Sequence, residues 1–167
     1  MKPGNYIRFK RRNFLRLFEK EIVPQNSFEE NIAIRYGNGK ADISLNGVLK
    51  VRISKHKRLE IRDIGETAFK RHFSIGKNRN QYSVSIGDSS YTVEFVKVIN
   101  FIGLRQSSVL KDGNIVARLN YVPNAFFWGG SLEVADFDES DKVPILAIAT
   151  FVWLEKNHLM DNAVTSS

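Results

Sequence analysis

The chain of 167 residues contains no cysteine. That removes disulfides, thiolate metal sites and cysteine nucleophiles together, and it suits a reducing, cytoplasmic compartment. Histidine is nearly as scarce. His56, His72 and His158 stand far apart, and none has a metal-ligand spacing such as His-Glu-X-X-His. Ser89-Ser90 and Ser107-Ser108 lack the setting of a nucleophile elbow. Gly37-Asn38-Gly39 runs into Lys40-Ala41-Asp42 without the last glycine of a dinucleotide loop. The acidic stretch from Asp136 fails as a calcium loop, because Asp141 and Ala147 stand where an EF-hand needs glycine and glutamate. No apolar run approaches the roughly twenty residues of a membrane span. None follows the basic N-terminus as a secretory signal would require. The expectation is a single soluble domain with no catalytic residue, no metal and no cofactor.

Charge is plentiful and unevenly placed. Lys and Arg total 25 against 18 Asp and Glu, a net charge of +7. Residues 1–22 carry seven basic residues against two acids, and residues 50–79 carry ten against three. Residues 112–167 reverse the balance, with three against eight. A basic front and an acidic back imply an oriented encounter with an anionic partner: a membrane surface, nucleic acid or an acidic protein. A solvated surface with its charges split by chance is the alternative.

Residues 1–30 read as a basic arm, a short helix and a linker. Phe14, Leu15, Phe18 and Ile22 fall at helical spacing, with Arg11, Arg12, Arg16 and Lys20 around them. Such a segment lies in a lipid interface, docks on a partner, or packs its apolar stripe on its own domain. Pro24-Gln25-Asn26-Ser27 is read as the break after it. From residue 31 the period becomes that of strands, with apolar residues alternating through 31–36, 41–54, 59–61, 69–75, 81–86, 91–98, 108–119 and 132–137. Asn46-Gly47 and Asp112-Gly113, each flanked by alternating residues, are the strongest hairpin signals. Gly76–Asn80 and Gly87-Asp88 are read as further turns. The loop Asn124–Gly130 holds Phe126, Phe127 and Trp128; these rings either form an exposed wedge or fold back to close the end of a barrel, and closure is the expected arrangement.

Val143 to Leu154 is different in kind. Val-Pro-Ile-Leu-Ala-Ile-Ala-Thr-Phe-Val-Trp-Leu has no charge, no glycine and no polar face at helical periodicity. A helix apolar all round must be enclosed by protein or lipid, and this one is too short for lipid. Ser140 or Asp141 is expected to cap it, and Pro144 suits its first turn. Many short strands and one enclosed helix predict an α+β fold: an antiparallel β-barrel of ten to twelve strands around a central C-terminal helix. The barrel is expected over 31–158, with a polar tail at 159–167.

Val109-Leu-Lys-Asp-Gly-Asn-Ile-Val-Ala-Arg118 resembles the "x-D-x-x-G-x-x-I-A" hairpin of the tubby C-terminal fold. Leu132-Glu-Val-Ala-Asp136, followed by Val143-Pro-Ile-Leu-Ala-Ile-Ala, is similar to the last strand and central helix of that fold. The fold is shared with LURP-one-related proteins and phospholipid scramblases. The resemblance implies a cytoplasmic module at a membrane, as tubby members bind phosphoinositide headgroups through basic side chains on the barrel. The tubby signature segments and the proline-rich and cysteine-rich stretches of scramblases are absent, and fold alone does not fix function.

The expected function is non-catalytic, peripheral binding of anionic phospholipid. The candidate residues are Lys50, Arg52, Lys55, Lys57, Arg58, Lys70 and Arg71, assisted by Arg12 and Arg16. The alternative is a protein-interaction module that docks an acidic partner on the same basic face. Nucleic acid is the weaker rival. Phe69, Phe73 and Tyr82 are interleaved with Lys70, Arg71, Lys77 and Arg79 as in single-strand binders, but Phe69, Arg71, Phe73 and Ile75 share one face, which assigns those rings to the core.

Overall fold

A computed structural model describes residues 4–10, 21–54, 58–61, 71–78, 81–86, 88–97, 105–123, 130–157 and 159. Fourteen strands lie among them. They are β1 (Asn5–Lys10), β2 (Glu21–Ile22), β3 (Gln25–Asn26), β4 (Ile32–Gly37), β5 (Lys40–Leu45), β6 (Val48–Ser54) and β7 (Arg58–Ile61), then β8 (Arg71–Asn78), β9 (Gln81–Ile86), β10 (Ser89–Glu94), β11 (Val96–Lys97), β12 (Arg105–Lys111), β13 (Asn114–Val122) and β14 (Ser131–Phe137). A 3-10 turn, Glu139–Asp141, leads into the helix α1, Lys142–Lys156. The class is α+β: antiparallel sheet with one C-terminal helix.

Neighbouring strands run in the order β2-β4-β5-β6-β7-β8-β9-β10-β12-β13-β14-β1-β3, with β11 beside β12. The helix packs against inward-facing residues from across this order, in particular on β6, β9 and β14. Ile145 through Leu154 are all buried, as an all-apolar helix requires. Each large aliphatic or aromatic side chain so enclosed contributes about 1.5–3 kcal/mol. Phe9 of β1 stacks on Trp153 with ring centroids 5.8 Å apart. The helix exceeds the expected span by one residue at its start and two at its end.

The sheet repeats itself. Asn46-Gly47 and Asp112-Gly113 both have two positive φ values, 51° and 79° in the first and 50° and 84° in the second. This is the turn geometry whose twist matches that of the flanking strands. Asn46 Oδ1 accepts the Asn31 N–H at 2.8 Å, and Asp112 Oδ1 accepts the Ser90 N–H at 2.7 Å. The two turn residues donate their own N–H groups back to the Asn31 and Ser90 carbonyls. Four positions after each turn residue, Lys50 and Val116 are skipped by the pairing and form bulges. The core matches as well: Ile43, Val51 and Ile53 in the first hairpin correspond to Val109, Ala117 and Leu119 in the second.

The correspondence includes the N-terminal strands. In the first half, Val84 of β9 pairs with Ile75 of β8, and Tyr82 pairs with Val93 of β10. In the second, Asn26 and Gln25 pair with Ile7 and Arg8, while Ile22 and Glu21 pair with Ile34 and Arg35. Residues 21–26 therefore take the place in one half that residues 81–86 take in the other. β2 and β3 are that strand interrupted at Val23-Pro24, where buried Pro24 has no N–H to give to a ladder.

Several expectations are corrected. Asn5–Lys10, read as part of an arm, is a strand between β14 and β3 that puts Ile7 and Phe9 in the core. Ile22 lies on a strand, and the segment read as a linker supplies β3. Gly76 to Asn78 continue β8, and the single strand expected over 91–98 is divided between β10 and β11. Asp141 precedes α1, but its side chain makes no capping bond. The expected N-terminal helix, with Arg12 and Arg16, lies outside the described residues, as do the rings at 126–128 and most of the tail.

Candidate functional site

In an antiparallel meander every second turn returns to the same end. Glu30 contacts Lys142, and Asn31 is tied to the Asn46 turn. The turn after β5 therefore lies at the start of α1. Asp112 and Asp141 lie at that end as well, joined to it through Lys111 and Tyr91. The opposite end holds the last turn of α1, the β4–β5 turn, and the ends of β8 and β1 that pair with Gln81 and Ser131. The molecule thus has an N-terminal and a C-terminal end, named by the helix.

The N-terminal end is a network of carboxylates. Asp141, 6% exposed, accepts hydrogen bonds from the Tyr91 hydroxyl and the Lys111 ammonium, each at 2.8 Å. Burial, then the bond to Asp141, raises the Tyr91 pKa. The same carboxylate, followed by Tyr91, raises that of Lys111. Lys142 is paired with Glu30 at 2.8 Å and Glu139 at 3.4 Å, over the Phe28 ring at 4.9 Å. Burial works against the charge of Lys142, but Glu30 and then Glu139 outweigh it and raise its pKa. Both lysines are committed to internal partners. Glu29, Asp88, Asp112, Asp138 and Glu139 are exposed around them.

Of the expected basic belt, the side chains described are those of Lys50 and Arg52. Arg52 grips Asp42 with two bonds, Nε–Oδ1 at 2.7 Å and Nη2–Oδ2 at 2.9 Å. Strand register extends the pattern: Glu21, Arg35, Asp42, Arg52, Glu60 and His72 stand opposite one another in sequence across six strands. The Glu21–Arg35 pair is formed at 2.8 Å. Acids and bases alternate along this row, so an external anion at Arg52 competes with Asp42. Lys50 is the half-buried bulge residue of β6. Arg58 begins β7 opposite Ser74, and Arg71 begins β8 opposite Ile61. Lys55, Lys57, Lys70, Arg12 and Arg16 lie outside the described residues.

No family model, curated protein or solved structure matches this chain. Function must be read from the two ends. Among the described residues no helix is long and apolar enough to cross a membrane. No group of three metal-ligating side chains occurs among them either.

The C-terminal end gathers cations that the linear reading missed. Lys10 and Lys40 are exposed, and Arg105 is half-buried at the start of β12. Lys156 closes α1 with its ammonium 5.1 Å from the centre of the Phe95 ring, 5.5 Å from Tyr82 and 5.8 Å from Tyr121. Burial, followed by Glu155, pushes the Tyr82 pKa up to about 12. Burial also raises that of Tyr121, against the opposing charge of Arg105. Among the described residues, Glu94, Glu155 and the Arg35-bound Glu21 are nearby acids. The signal for this grouping is present in the sequence as turn parity: of the connections between strands that end on this side, 37–39, 55–57, 79–80, 98–104 and 124–129 contain no Asp or Glu, and 11–20 contains Glu19 against four Lys and Arg.

Proposed function

We propose that the sheet is a closed barrel of twelve staves around α1, with β2 and β3 forming one stave, and that its C-terminal end docks on anionic phospholipid. Two facts support closure. The ends of the strand order are separated in the chain only by Val23 and Pro24, and residues 21–26 keep the register of β9 on both sides. A barrel around one central helix is the arrangement that the tubby resemblance implies.

The observation that carries the docking reading is the charge polarity along the helix. Lys10, Lys40, Arg105 and Lys156 share one end, while exposed carboxylates ring the other. A molecule so polarised approaches an anionic leaflet basic end first. Each basic residue held near the surface contributes about 1 kcal/mol, so four give about 4 kcal/mol, equivalent to a Kd near 1 mM. Recruitment at that strength is reversible and salt-sensitive, because the attraction decays over a Debye length of about 8 Å at physiological ionic strength. The segments carrying Lys55, Lys57 and Arg79 join strands that end on the same side, which adds to the polarity in sequence terms.

Co-sedimentation with vesicles tests the reading. Binding to vesicles containing phosphatidylserine or phosphoinositide, absent with neutral vesicles and lost on raising salt, is the expected result. No binding to anionic vesicles at low salt rejects it and points to an acidic protein as the partner. Deleting residues 1–22 is not a usable control, because β1 supplies Ile7 and Phe9 to the core.

A further inference from the structure

Lys156 stands among three rings that meet edge to face. Tyr82 and Phe95 meet at 89° with centroids 5.8 Å apart, and Phe95 meets Tyr121 at 65° and 5.7 Å. They form walls set at steep angles to one another, and the ammonium lies within 6 Å of all three. Each wall is held by its backbone: Tyr82 on β9, Phe95 between β10 and β11, and Tyr121 on β13. Phe151 braces Tyr82 edge-on at 5.9 Å. The rings are almost fully buried, while Lys156 is half-exposed.

We propose that Tyr82, Phe95 and Tyr121 form a binding site for a quaternary ammonium group of the choline type, which Lys156 occupies from within the chain until the ligand displaces it. Aromatic faces attract a cation but offer it no acceptor as good as water, so a strongly hydrated primary ammonium gains less there than a methylated one. A trimethylammonium group has no N–H to desolvate and presents methyl groups to all three walls. Lys156 is tethered beside the rings, which makes its effective concentration there high. Arg105 lies directly across the β12–β13 pair from Tyr121 and puts a guanidinium beside the cage for the phosphate of a choline ester. This inference stands apart from the attraction to anionic vesicles, and either can fail without the other.

Two measurements test it. In the wild-type chain, mass spectrometry after brief amine acylation compares Lys156 with Lys10 and Lys40. Slow labelling of Lys156 that accelerates with tetramethylammonium chloride, but not with sodium chloride of equal ionic strength, is expected. In Lys156→Ala, tyrosine ring resonances should titrate with tetramethylammonium at least about tenfold more tightly than in wild type, and Phe95→Leu in that background should weaken binding by about tenfold. Phosphocholine and phosphatidylcholine bicelles then separate the sources. Binding of the free ester assigns a soluble ligand, a response to bicelles alone assigns a lipid headgroup, and either supports the site. A folded Lys156→Ala chain on which tetramethylammonium acts no differently from sodium overturns the proposal. If that variant does not fold, the wild-type labelling decides, and a rate at Lys156 unchanged by tetramethylammonium overturns it.

Discussion

Thr150 is the one polar side chain in the buried run of α1, and its hydroxyl has no hydrogen-bond partner among the described residues. A buried hydroxyl without a partner costs free energy, so the near-isosteric Thr150→Val should leave stability unchanged or raise it by up to about 1 kcal/mol in urea unfolding. A loss above that means that the hydroxyl is satisfied. Gly4 makes the opposite case. A Cβ there would lie 2.6 Å from Asp136 Oδ1 and 3.1 Å from Asp136 Cα. The carboxylate can swing aside, but the backbone of Asp136 cannot easily do so, since its φ is already +61°. Gly4→Ala should cost about 1–2 kcal/mol by the same assay. At this scale little was legible in advance. Neither the unpaired hydroxyl nor the close approach leaves a mark on hydrophobic pattern, because each depends on how the chain packs in three dimensions; Gly4 and Asp136 lie at opposite ends of the sequence.

Elements were far more legible, for reasons that differ between them. The two Asx-Gly hairpins were readable because positive φ at two adjacent residues is a local demand that only a few residue types meet. Their shared tie to the preceding strand was not, since it needs Asn31 and Ser90 in place. If the hairpins are equivalent, Asn46→Ala and Asp112→Ala should cost similar amounts, about 1–2 kcal/mol each, from lost side-chain bonds and strained φ. Very different costs would break the equivalence. Ser140 or Asp141 was expected to cap the helix; Asp141 instead binds Tyr91 and Lys111, because a buried carboxylate takes the strongest donors within reach. Tyr91→Phe should therefore cost about 1 kcal/mol. High pH probes the other end of the helix. The Tyr82 pKa is raised in the fold, so its contribution is complete below the ordinary phenol value and is lost as pH climbs from about 10 towards 12. Tm should fall over that range, and Tyr82→Phe should flatten part of the fall.

On the scale of the whole molecule, one enclosed helix organises both shape and charge. Its all-apolar run predicted enclosure correctly, since no other environment suits such a helix in water. The basic belt was drawn from nearness in sequence, and of its residues only Lys50 and Arg52 have described side chains; in space, successive turns lie at opposite ends and cross-strand neighbours supply opposite charges. Arg52 thereby became the partner of Asp42, and Lys10, Lys40 and Arg105, scattered along the chain, came to share an end. The most direct test of this account is vesicle binding by two charge-reversed chains. One carries Lys10→Glu, Lys40→Glu and Arg105→Glu at the C-terminal end, and the other carries Lys50→Glu on the flank near the N-terminal end. With phosphatidylserine vesicles at low salt, the account predicts that the first variant loses most of its binding, while the second retains it within about a factor of five, the equivalent of one weak contact. Equal loss in both, or retention by the first, would contradict an oriented docking end.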